Sequence, residues 1–333
     1  MRASEQQQAI QAERKPKASR ASIAQRTRLF LLCAAAVLLL IGIAITLWTK
    51  SPNVCSQKKI DAAEALSAPI PTPTSFADHP LLTVSVFDVG QGDAILLQSP
   101  SGKTMLVDAG PEEAYSALRN DLKAYEIERL DTVIATHPHA DHIGGMPMLL
   151  RDFDVGAFYL TTYPATTSLY EQMLLRLQKQ GCPVYDTNTE TIINWDTDIN
   201  VKVLNPIKDV RYDDANNASI VLRVTYGEVS FLLTGDMEGE TEQLLLDTFG
   251  KELLQADVLK LGHHGSYTST SEAFLAAVSP RFALVSAGRD NLYGHPHSIV
   301  LERLEKQNIT LYRTDRDGVI TAFTDGYDSI IVQ

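Results

Sequence analysis

The sequence predicts an α/β fold in which two sheets carry helices on their outer faces, preceded by one transmembrane helix. Three observations support this. A basic N-terminal segment leads into twenty uncharged residues. From residue 81 onward, β-rich stretches alternate with amphipathic stretches, and such mixtures pack as layered sheets covered by helices. Apolar residues make up 44% of the chain, which is enough for a sizeable core.

Charge is distributed unevenly along the 333 residues, whose net charge is −12. Residues 1–28 carry seven basic and two acidic side chains, and Lys50 adds one positive charge, so that residues 51–333 carry −18. A strongly acidic body disfavours non-specific adhesion to nucleic acid. A polyanionic substrate therefore needs a metal ion or a local basic patch to hold it.

The first three segments predicted are a basic cytoplasmic tail (1–28), a transmembrane anchor (29–48) and a linker (49–80). The uncharged segment is as long as a helix that spans a bilayer core of about 30 Å. Because the basic excess precedes the span, we expect a cytoplasmic N-terminus and an extracytoplasmic body, single-pass in the cell membrane. A cleaved signal peptide is the alternative, but its apolar stretch is shorter, about 7–15 residues. The linker contains "SAPIPTPTSFADHP", a composition typical of linkers.

Residues 81–333 are predicted to form a single domain. Its expected strands include "LLTVSVFDVG", "DAILLQS", "KTMLVDAG", "LDTVIAT", "INVKVLNP", "ASIVLRVTYG", "EVSFLLTGD", "ADVLKL" and "RFALVSAG". Its expected helices are "EEAYSALRNDLKAYEI", "SLYEQMLLRLQKQG", "EGETEQLLLDTFG", "SEAFLAAVS" and "IVLERLEKQN". The stretch "ITLYRTDRDGVITAFTDG" is predicted to close the domain as a hairpin, since Asp317-Gly318 suits a tight turn.

Seven of the eight histidines follow the ends of predicted strands. Three of them and one aspartate lie in "THPHADHIGG", directly after "LDTVIAT". The others follow later strands, and Asp236 follows a further strand. Loops at strand ends are where α/β proteins usually build their sites. We therefore expect these side chains to converge.

Imidazole and carboxylate groups are natural ligands of divalent metals. In an extended stretch, alternate residues share a face, so His137 and His139 can hold one ion. Asp141 and His142 can hold a second, and Asp236 can bridge both. Two-metal sites, with ions about 3.5–4 Å apart, lower the pKa of bound water and clamp the attacking and leaving oxygens, which suits phosphoester hydrolysis.

Some side chains have more than one interpretation. His263 and His264 are adjacent and diverge, so one is expected to bind metal and the other to face substrate. His295 and His297 belong either to the site or to an ordinary loop around Pro296.

Three aspartates lie beside glycines at predicted turns. We interpret Asp88 and Asp93 as turn-stabilising residues, and Asp108 stays open.

Five motifs give the sequence a resemblance to a known family. They are "FDVGQGDAILLQSPSGKTMLVDAG", "THPHADHIGG", "NNASIVLRVTYGEVSFLLTGD", "ADVLKLGHHGS" and "YGHPHS". "HPHADH" resembles the HxHxDH signature of the metallo-β-lactamase superfamily. The set, from Leu81 to the C-terminus, resembles ComEC-like hydrolase domains, which are related to competence and DNA uptake. The resemblance implies a four-layer αβ/βα sandwich, the metallo-β-lactamase fold, with two divalent ions, zinc or manganese.

The resemblance also implies roles for individual residues. His137 and His139 hold the first metal ion, and Asp236 lies between the two ions. The second ion is held by Asp141, His142 and His264. Catalytic roles fall to His263, His295 and Asp141, and substrate contacts to Asn217, Ser266 and His297.

The sequence departs from the family pattern in two ways. Many members place a third histidine on the first metal, but residues 143–235 contain none, and Asn216, Asn217 and Ser219 occupy that region. The first ion is therefore expected to be weakly held or completed by water or substrate. ComEC proteins also carry many membrane helices, whereas one is predicted here, so a channel role is in doubt.

The function expected is that of a metal-dependent phosphodiesterase or nuclease acting on DNA. One alternative is a cell-wall polymer phosphodiesterase, such as a teichoic acid phosphorylcholine esterase. Another is a non-catalytic binding protein of the same fold. The sequence does not identify a protein partner.

Overall fold

The structure is a computed structural model that describes residues 80–333. The predicted tail (1–28), the predicted anchor (29–48) and the predicted linker (49–80, apart from Pro80) lie outside the described residues. Within the described part of the chain, no helix is both long and apolar enough to cross a membrane.

Fourteen strands lie within residues 80–333. In chain order they are β1 (Leu82–Val86), β2 (Ile95–Gln98), β3 (Thr104–Val107), β4 (Arg129–Ala135), β5 (Asp154–Thr161), β6 (Val184–Thr187), β7 (Ile199–Asn205), β8 (Val221–Tyr226), β9 (Val229–Leu233), β10 (Val258–Lys260), β11 (Phe282–Val285), β12 (Thr310–Arg313), β13 (Ile320–Thr324) and β14 (Ile330–Val332). Strand β7 illustrates why such segments form strands. Ile199, Val201 and Val203 are buried, whereas Asn200 and Lys202 are exposed. This alternation places one face of the strand on the core.

The same part of the chain contains nine α-helices and two short 3₁₀ segments. The helices are α1 (Tyr115–Ala124), α2 (Ala140–Ile143), α3 (Met146–Asp152), α4 (Ser168–Gln180), α5 (Gly239–Thr248), α6 (Lys251–Leu254), α7 (Glu272–Val278), α8 (Ser298–Lys306) and α9 (Thr314–Asp317), and the 3₁₀ segments are Glu112–Ala114 and Gly262–Gly265. Helix α4 has a recognisable signal at each end, of which the sequence reading used only Gly181. The Thr167 side chain accepts a hydrogen bond from the Tyr170 N–H, and Gly181 ends the helix in the left-handed conformation.

The strands form two mixed sheets. The first has the order β14-β13-β1-β2-β3-β4-β5-β6, and the second has the order β12-β11-β10-β9-β8-β7. Strands β3 to β6 are parallel, and so are β9 to β12. The remaining pairs are antiparallel, including the predicted run β7-β8-β9. The predicted α/β class with two sheets is confirmed.

Three apolar clusters show how the layers stack. One cluster joins the two sheets and contains Leu97 of the first and Phe231 of the second. Another packs α1, α3 and α4 on the outer face of the first sheet, with Leu118 fully buried. A third packs α5, α7 and α8 on the outer face of the second sheet, around Phe274. The order is therefore helices, sheet, sheet, helices.

The hairpin predicted at the C-terminal end is wrong. Strand β12 pairs in parallel with β11 in the second sheet, whereas β13 pairs antiparallel with β1 in the first. Between them, α9 carries the chain from one sheet to the other, and the Asp317 carboxylate accepts a hydrogen bond from the Arg313 N–H. The Asp-Gly pair does mark a local turn, but long-range pairing sends its flanking strands to different sheets.

This topology determines where the site forms. The segments that follow β3, β4, β9, β10 and β11 carry Asp108, His137, Asp236, His264 and Ser286 respectively. Because carboxyl ends of parallel strands lie at one edge of a sheet, and the sheets face each other, these segments meet between the two sheets.

Candidate metal centre

The first half of the site follows β4. Helix α2 begins directly after His139 and carries His142 in its single turn. The buried Asp108 carboxylate accepts hydrogen bonds from the Thr136 N–H (2.8 Å), the Thr136 hydroxyl (2.6 Å) and His142 Nδ1 (2.7 Å). A histidine that donates from Nδ1 to a carboxylate has its other nitrogen available as a ligand. The open question about Asp108 is thereby answered: it orients His142.

The second half of the site comes from the other sheet. His264 Nδ1 donates to the carbonyl oxygen of Ser286 at 3.0 Å, which directs Nε2 to the opposite side. That Nε2 lies 3.3 Å from Asp236 Oδ2 and 3.4 Å from Asp141 Oδ2. His142 Nε2 lies 3.2 Å from the same Asp236 oxygen. Ligand atoms of Asp141, His142, Asp236 and His264 all lie within 4.8 Å of one another.

Unpaired buried atoms at this point fit a metal ion. In the described part of the chain, three buried imidazole nitrogens have no hydrogen-bond partner, the Nε2 atoms of His137, His142 and His264. Asp236 Oδ1 is likewise buried without a partner. Each such group costs about 1–3 kcal/mol when left unsatisfied. One divalent cation would satisfy the atoms of His142, His264 and Asp236 together, so this donor set fits a metal ion. His137 and His139 do not belong to this group of ligand atoms.

The electrostatics of the site also favour a cation. Burial alone would raise the pKa of Asp236, but the charges of His142 and His264 hold it well below its ordinary value. Burial alone would lower the pKa of His142, but Asp236 and Asp108 raise it well above its ordinary value. For His137, burial lowers the pKa, so this imidazole is neutral and can offer a lone pair. The pocket therefore combines ionised carboxylates and a neutral His137 with His142 and His264, whose pKa values the neighbouring carboxylates raise. A bound metal ion would replace the protons on these two imidazoles.

The adjacent histidines of the 3₁₀ segment point apart, as expected. His264 is buried, whereas His263 is partly exposed and its Nδ1 lies 2.9 Å from Glu238 Oε1. His263 Nε2 is 3.9 Å from Asp236 Oδ2. Both residues have positive φ angles, 46° and 53°, a conformation that costs roughly 1–2 kcal/mol per residue. This placement supports His264 as the ligand and His263 as the residue nearer to substrate.

The remaining predicted residues surround this centre. The exposed His139 ring lies 4.7 Å from that of His137. The ring of His295 lies 5.5 Å from His263 and 6.2 Å from His264. Burial, followed by the charges of His264 and His263, lowers the pKa of His295 to about 4. His295 is therefore neutral near pH 7.

The three residues predicted to contact substrate make hydrogen bonds within the protein. The Asn217 side-chain oxygen accepts a hydrogen bond from the Glu238 N–H, while Asn216 lines the open cavity above the centre. The Ser266 hydroxyl oxygen accepts a hydrogen bond from Thr268. His297 Nδ1 accepts one from the Tyr267 N–H. Substrate binding by Asn217, Ser266 and His297 stays a prediction.

A buried ion pair under the site was missed by sequence reasoning. The Lys260 ammonium group is fully buried and lies 2.6 Å from Asp93 Oδ2. The other oxygen of Asp93 lies 3.5 Å from His264 Nδ1. The interpretation of Asp93 as a turn residue is therefore wrong, whereas Asp88 does accept a turn hydrogen bond from the Gly90 N–H. A lysine inside the apolar stretch "VLKL" was the available signal.

Other residues of the cavity were also missed. Gln91 and Tyr293 line the open cavity of about 350 Å³ that contains Asp141, Asp236, His263 and His264. The Gln91 amide nitrogen lies 3.3 Å from His295 Nδ1. The turn carrying Gln91 was recognisable from the sequence, but its contact with a residue 204 positions away was not.

Gly92 is required for a close approach between two loops of the site. Its φ is 147°, and an added Cβ would lie 2.2 Å from the carbonyl oxygen of Asp141. We expect Gly92→Ala to displace Asp141 and to weaken metal affinity by about 10- to 100-fold, as changes to supporting contacts do. Metal titration and denaturant unfolding of the full chain measure both effects.

Gly90 in the same turn provides the matched control. Its φ is 72°, and among the described residues an added Cβ would meet no atom within 4 Å. Gly90→Ala should cost only the backbone strain of about 1–2 kcal/mol and leave metal affinity unchanged. Equal metal affinities for the two variants would contradict this role of Gly92.

The two facing mixed sheets and the buried His/Asp group define a metallo-hydrolase fold. The chain belongs to the metallo-β-lactamase superfamily, whose family model matches residues 87–289.

Curated relatives refine this membership. The chain is similar to ComE operon protein 3 of Bacillus subtilis (strain 168), with 34% identity over 71% of this chain and 32% of that protein. It is equally similar to competence protein ComA of Neisseria gonorrhoeae, with 34% identity over 71% of this chain and 31% of that protein. The domain is thus related to competence proteins, and the chain spans about a third of the length of these relatives.

Among solved structures, the chain is similar to the metallo-beta-lactamase fold protein YhfI from Bacillus subtilis. The TM-score is 0.44 at 16% sequence identity, covering 72% of this chain and 99% of that chain.

Proposed function

We propose that this protein is a metal-dependent phosphodiesterase, a nuclease that acts on DNA. The observation that carries the proposal is the convergence of unpaired Nε2 atoms of His142 and His264 on Asp236. Similarity to competence protein ComA of Neisseria gonorrhoeae supports DNA as the substrate. When bound, zinc or manganese supplies Lewis acidity and an activated water.

The residues of the site have different roles in binding the metal ions. Asp141, His142 and His264 would hold one ion, His137 and His139 would hold a second, and Asp236 would contribute to both. Asp108 fixes the orientation of His142 through the 2.7 Å hydrogen bond. Such contacts typically change metal affinity by about 10- to 100-fold when they are removed.

His263 and His295 border the cavity on the open side of this centre. We infer that they contact the scissile phosphate, and that Asp141 has a catalytic as well as a ligand role. The low pKa of His295 means that, near pH 7, its ring contributes a neutral hydrogen-bonding group rather than a positive charge.

Hydrolysis of defined phosphodiesters tests the proposal. The full chain, purified in detergent because of its apolar segment, is stripped with chelator and reloaded with manganese or zinc. Linear DNA and bis(p-nitrophenyl) phosphate serve as substrates, and an Asp141→Ala/His142→Ala variant serves as the control. We expect metal-dependent cleavage of both substrates. Cleavage of the small ester alone points to another phosphodiester, such as a wall polymer, and cleavage of neither supports a binding protein.

Separate replacement of His263 and of His264 should give different results. His264→Ala is expected to lose one equivalent of bound metal, because its buried Nε2 faces Asp236 at 3.3 Å. His263→Ala should keep its metal and lose about 10²-fold in kcat, as loss of one group that contacts the reacting centre typically does. The two variants are distinguished by steady-state kinetics and by their metal content, which is measured by mass spectrometry. Metal loss in His263→Ala, with retention in His264→Ala, would reverse the assignment.

We also infer that residues 29–48 anchor the protein in the cell membrane with the domain on the extracytoplasmic side. The twenty uncharged residues and the basic residues before them support this orientation. Protease treatment of intact cells with permeable outer layers should digest the domain. Protection of the domain until the membrane is lysed would contradict the orientation.

A further inference from the structure

Large apolar and aromatic side chains are exposed at the mouth of the cavity. Tyr293 lines the cavity, yet 67% of it is exposed, and the neighbouring Leu292 is fully exposed. Tyr267, whose ring contacts that of His297, is 64% exposed. Exposed apolar groups clustered at a cavity commonly mark a binding surface.

Tyr293 belongs to a series of aromatic rings that runs from solvent to the metal centre. Its ring stacks on His295 with centroids 5.6 Å apart and planes inclined by 25°. His295 lies 6.2 Å from His264 and stacks on it with an inclination of 29°. His295 also makes a T-shaped contact with His297 at 4.9 Å, and the rings of His297 and Tyr267 make another at 5.1 Å. The stacked series places the Tyr293 ring one position outward from the residues assigned to the phosphate.

The loop that carries Tyr293 is held firmly despite its exposure. The Asn291 side chain donates to the carbonyl oxygens of Gly288 (2.9 Å) and His295 (2.7 Å). Its oxygen accepts a hydrogen bond from the His295 N–H at 2.9 Å. A ring fixed in advance loses little entropy when a ligand binds to it. Tyr293 is therefore preorganised as a flat surface.

We propose that Tyr293 stacks on an unpaired nucleobase next to the scissile phosphate and thereby selects single-stranded nucleic acid. This inference rests on the proposed function. Aromatic stacking contributes about 1–3 kcal/mol per base. In a duplex the faces of the bases are covered by their neighbours, so stacking on a protein ring requires an unstacked strand.

The charge of the protein supports stacking as the source of affinity. Residues 51–333 carry −18, which weakens binding that depends on phosphate charge alone. Stacking on an uncharged ring does not depend on net charge. A polyol phosphate has no flat ring to present to Tyr293, so the same surface argues for nucleic acid over a polyol wall polymer. A choline group can bind an aromatic face through its ammonium charge, so the test must depend on the base itself.

Abasic oligonucleotides separate stacking from phosphate binding, because they keep the phosphates and remove the bases. With the manganese-loaded full chain, we expect the KM for a single-stranded oligonucleotide to be about 5- to 150-fold below that for an abasic one. Tyr293→Ala should abolish this preference, whereas Tyr293→Phe should preserve it. The matched control Leu292→Ala, one residue away, should also preserve it.

A binding measurement that needs no catalysis gives an independent readout. A single-stranded oligonucleotide containing 2-aminopurine is titrated with the metal-free full chain. Quenching of its fluorescence by the unchanged chain and by Tyr293→Phe, but not by Tyr293→Ala, is the expected result.

Two results would overturn the inference. The first is no preference for base-bearing strands together with no quenching. The second is an equal loss of the preference in Leu292→Ala and Tyr293→Ala, which indicates a general apolar contact such as a protein-docking surface. Quenching without cleavage of any phosphodiester would instead contradict the proposed function while supporting the stacking role.

Discussion

Asp236→Asn is expected to lose bound metal and to lower phosphodiesterase activity by on the order of 10³-fold, the effect of removing a central charge-stabilising group. The carboxylate lies between His142 and His264, at 3.2 Å and 3.3 Å from their Nε2 atoms, and one of its oxygens is buried without a partner in the described residues. The amide has nearly the same shape, so the substitution removes charge without opening a cavity.

Metal content and activity are measured together on the full chain reloaded with manganese or zinc. The control is Asp186→Asn, the same change at an exposed position in β6. Unchanged secondary structure by circular dichroism would show that the loss is local. Retention of both metal and activity in Asp236→Asn would mean that Asp236 is not a ligand.

Lys260→Met is expected to have the largest effect on stability, lowering the free energy of unfolding by about 3–5 kcal/mol. The ammonium group is fully buried, lies 2.6 Å from Asp93 and donates to the carbonyl oxygen of Leu261 at 3.0 Å. Its removal leaves the buried Asp93 carboxylate without its partner. Chemical denaturation of the full chain measures the difference.

A double-mutant cycle identifies the cause of this effect. Asp93→Asn/Lys260→Met should be more stable than Lys260→Met alone, because no unpaired charge stays buried. The control Lys306→Met breaks an exposed pair with Glu272 at 3.3 Å and should cost no more than about 1 kcal/mol. If the double variant is no more stable than the single one, the ion pair is not what Lys260 contributes.

The same pair predicts how stability depends on pH. Burial alone would raise the pKa of Asp93, but Lys260 and then His264 lower it below its ordinary value of 3.8. A carboxyl group with a lowered pKa stabilises the fold above its unfolded pKa, and this contribution is lost as pH falls through the folded value. The stability difference between the unchanged chain and Lys260→Met should therefore shrink below about pH 4.

Local patterns predicted the elements whose signals are contained in a short stretch. The alternation in β7 and the end signals of α4 are of this kind. Strand β5 was not recognised, although it pairs with β4 on one side and with β6 on the other. Asp154 and Gly156 have low intrinsic preference for strands and interrupt its pattern, whereas parallel pairing with both neighbours defines the strand in the structure.

The site, too, was predictable from local sequence signals only in part. The crowding of ligand-type residues in "THPHADH" pointed to a metal, and the geometry brings His142, Asp236 and His264 together. The pairing of Lys260 with Asp93 was beyond sequence reasoning, because 167 positions separate the two residues and neither motif requires the other. The passage of the chain from the second sheet to the first after β12 also depends on long-range pairing, so the sequence did not reveal it.

Anomalous diffraction from crystals of the metal-loaded chain tests the central claim most directly. We expect a peak at about 2.0–2.2 Å from the Nε2 atoms of His142 and His264 and from a carboxylate oxygen of Asp236, the distances typical of zinc. A fully loaded crystal without a peak at these atoms, or with its metal bound elsewhere, would contradict the claim that these side chains form a metal centre.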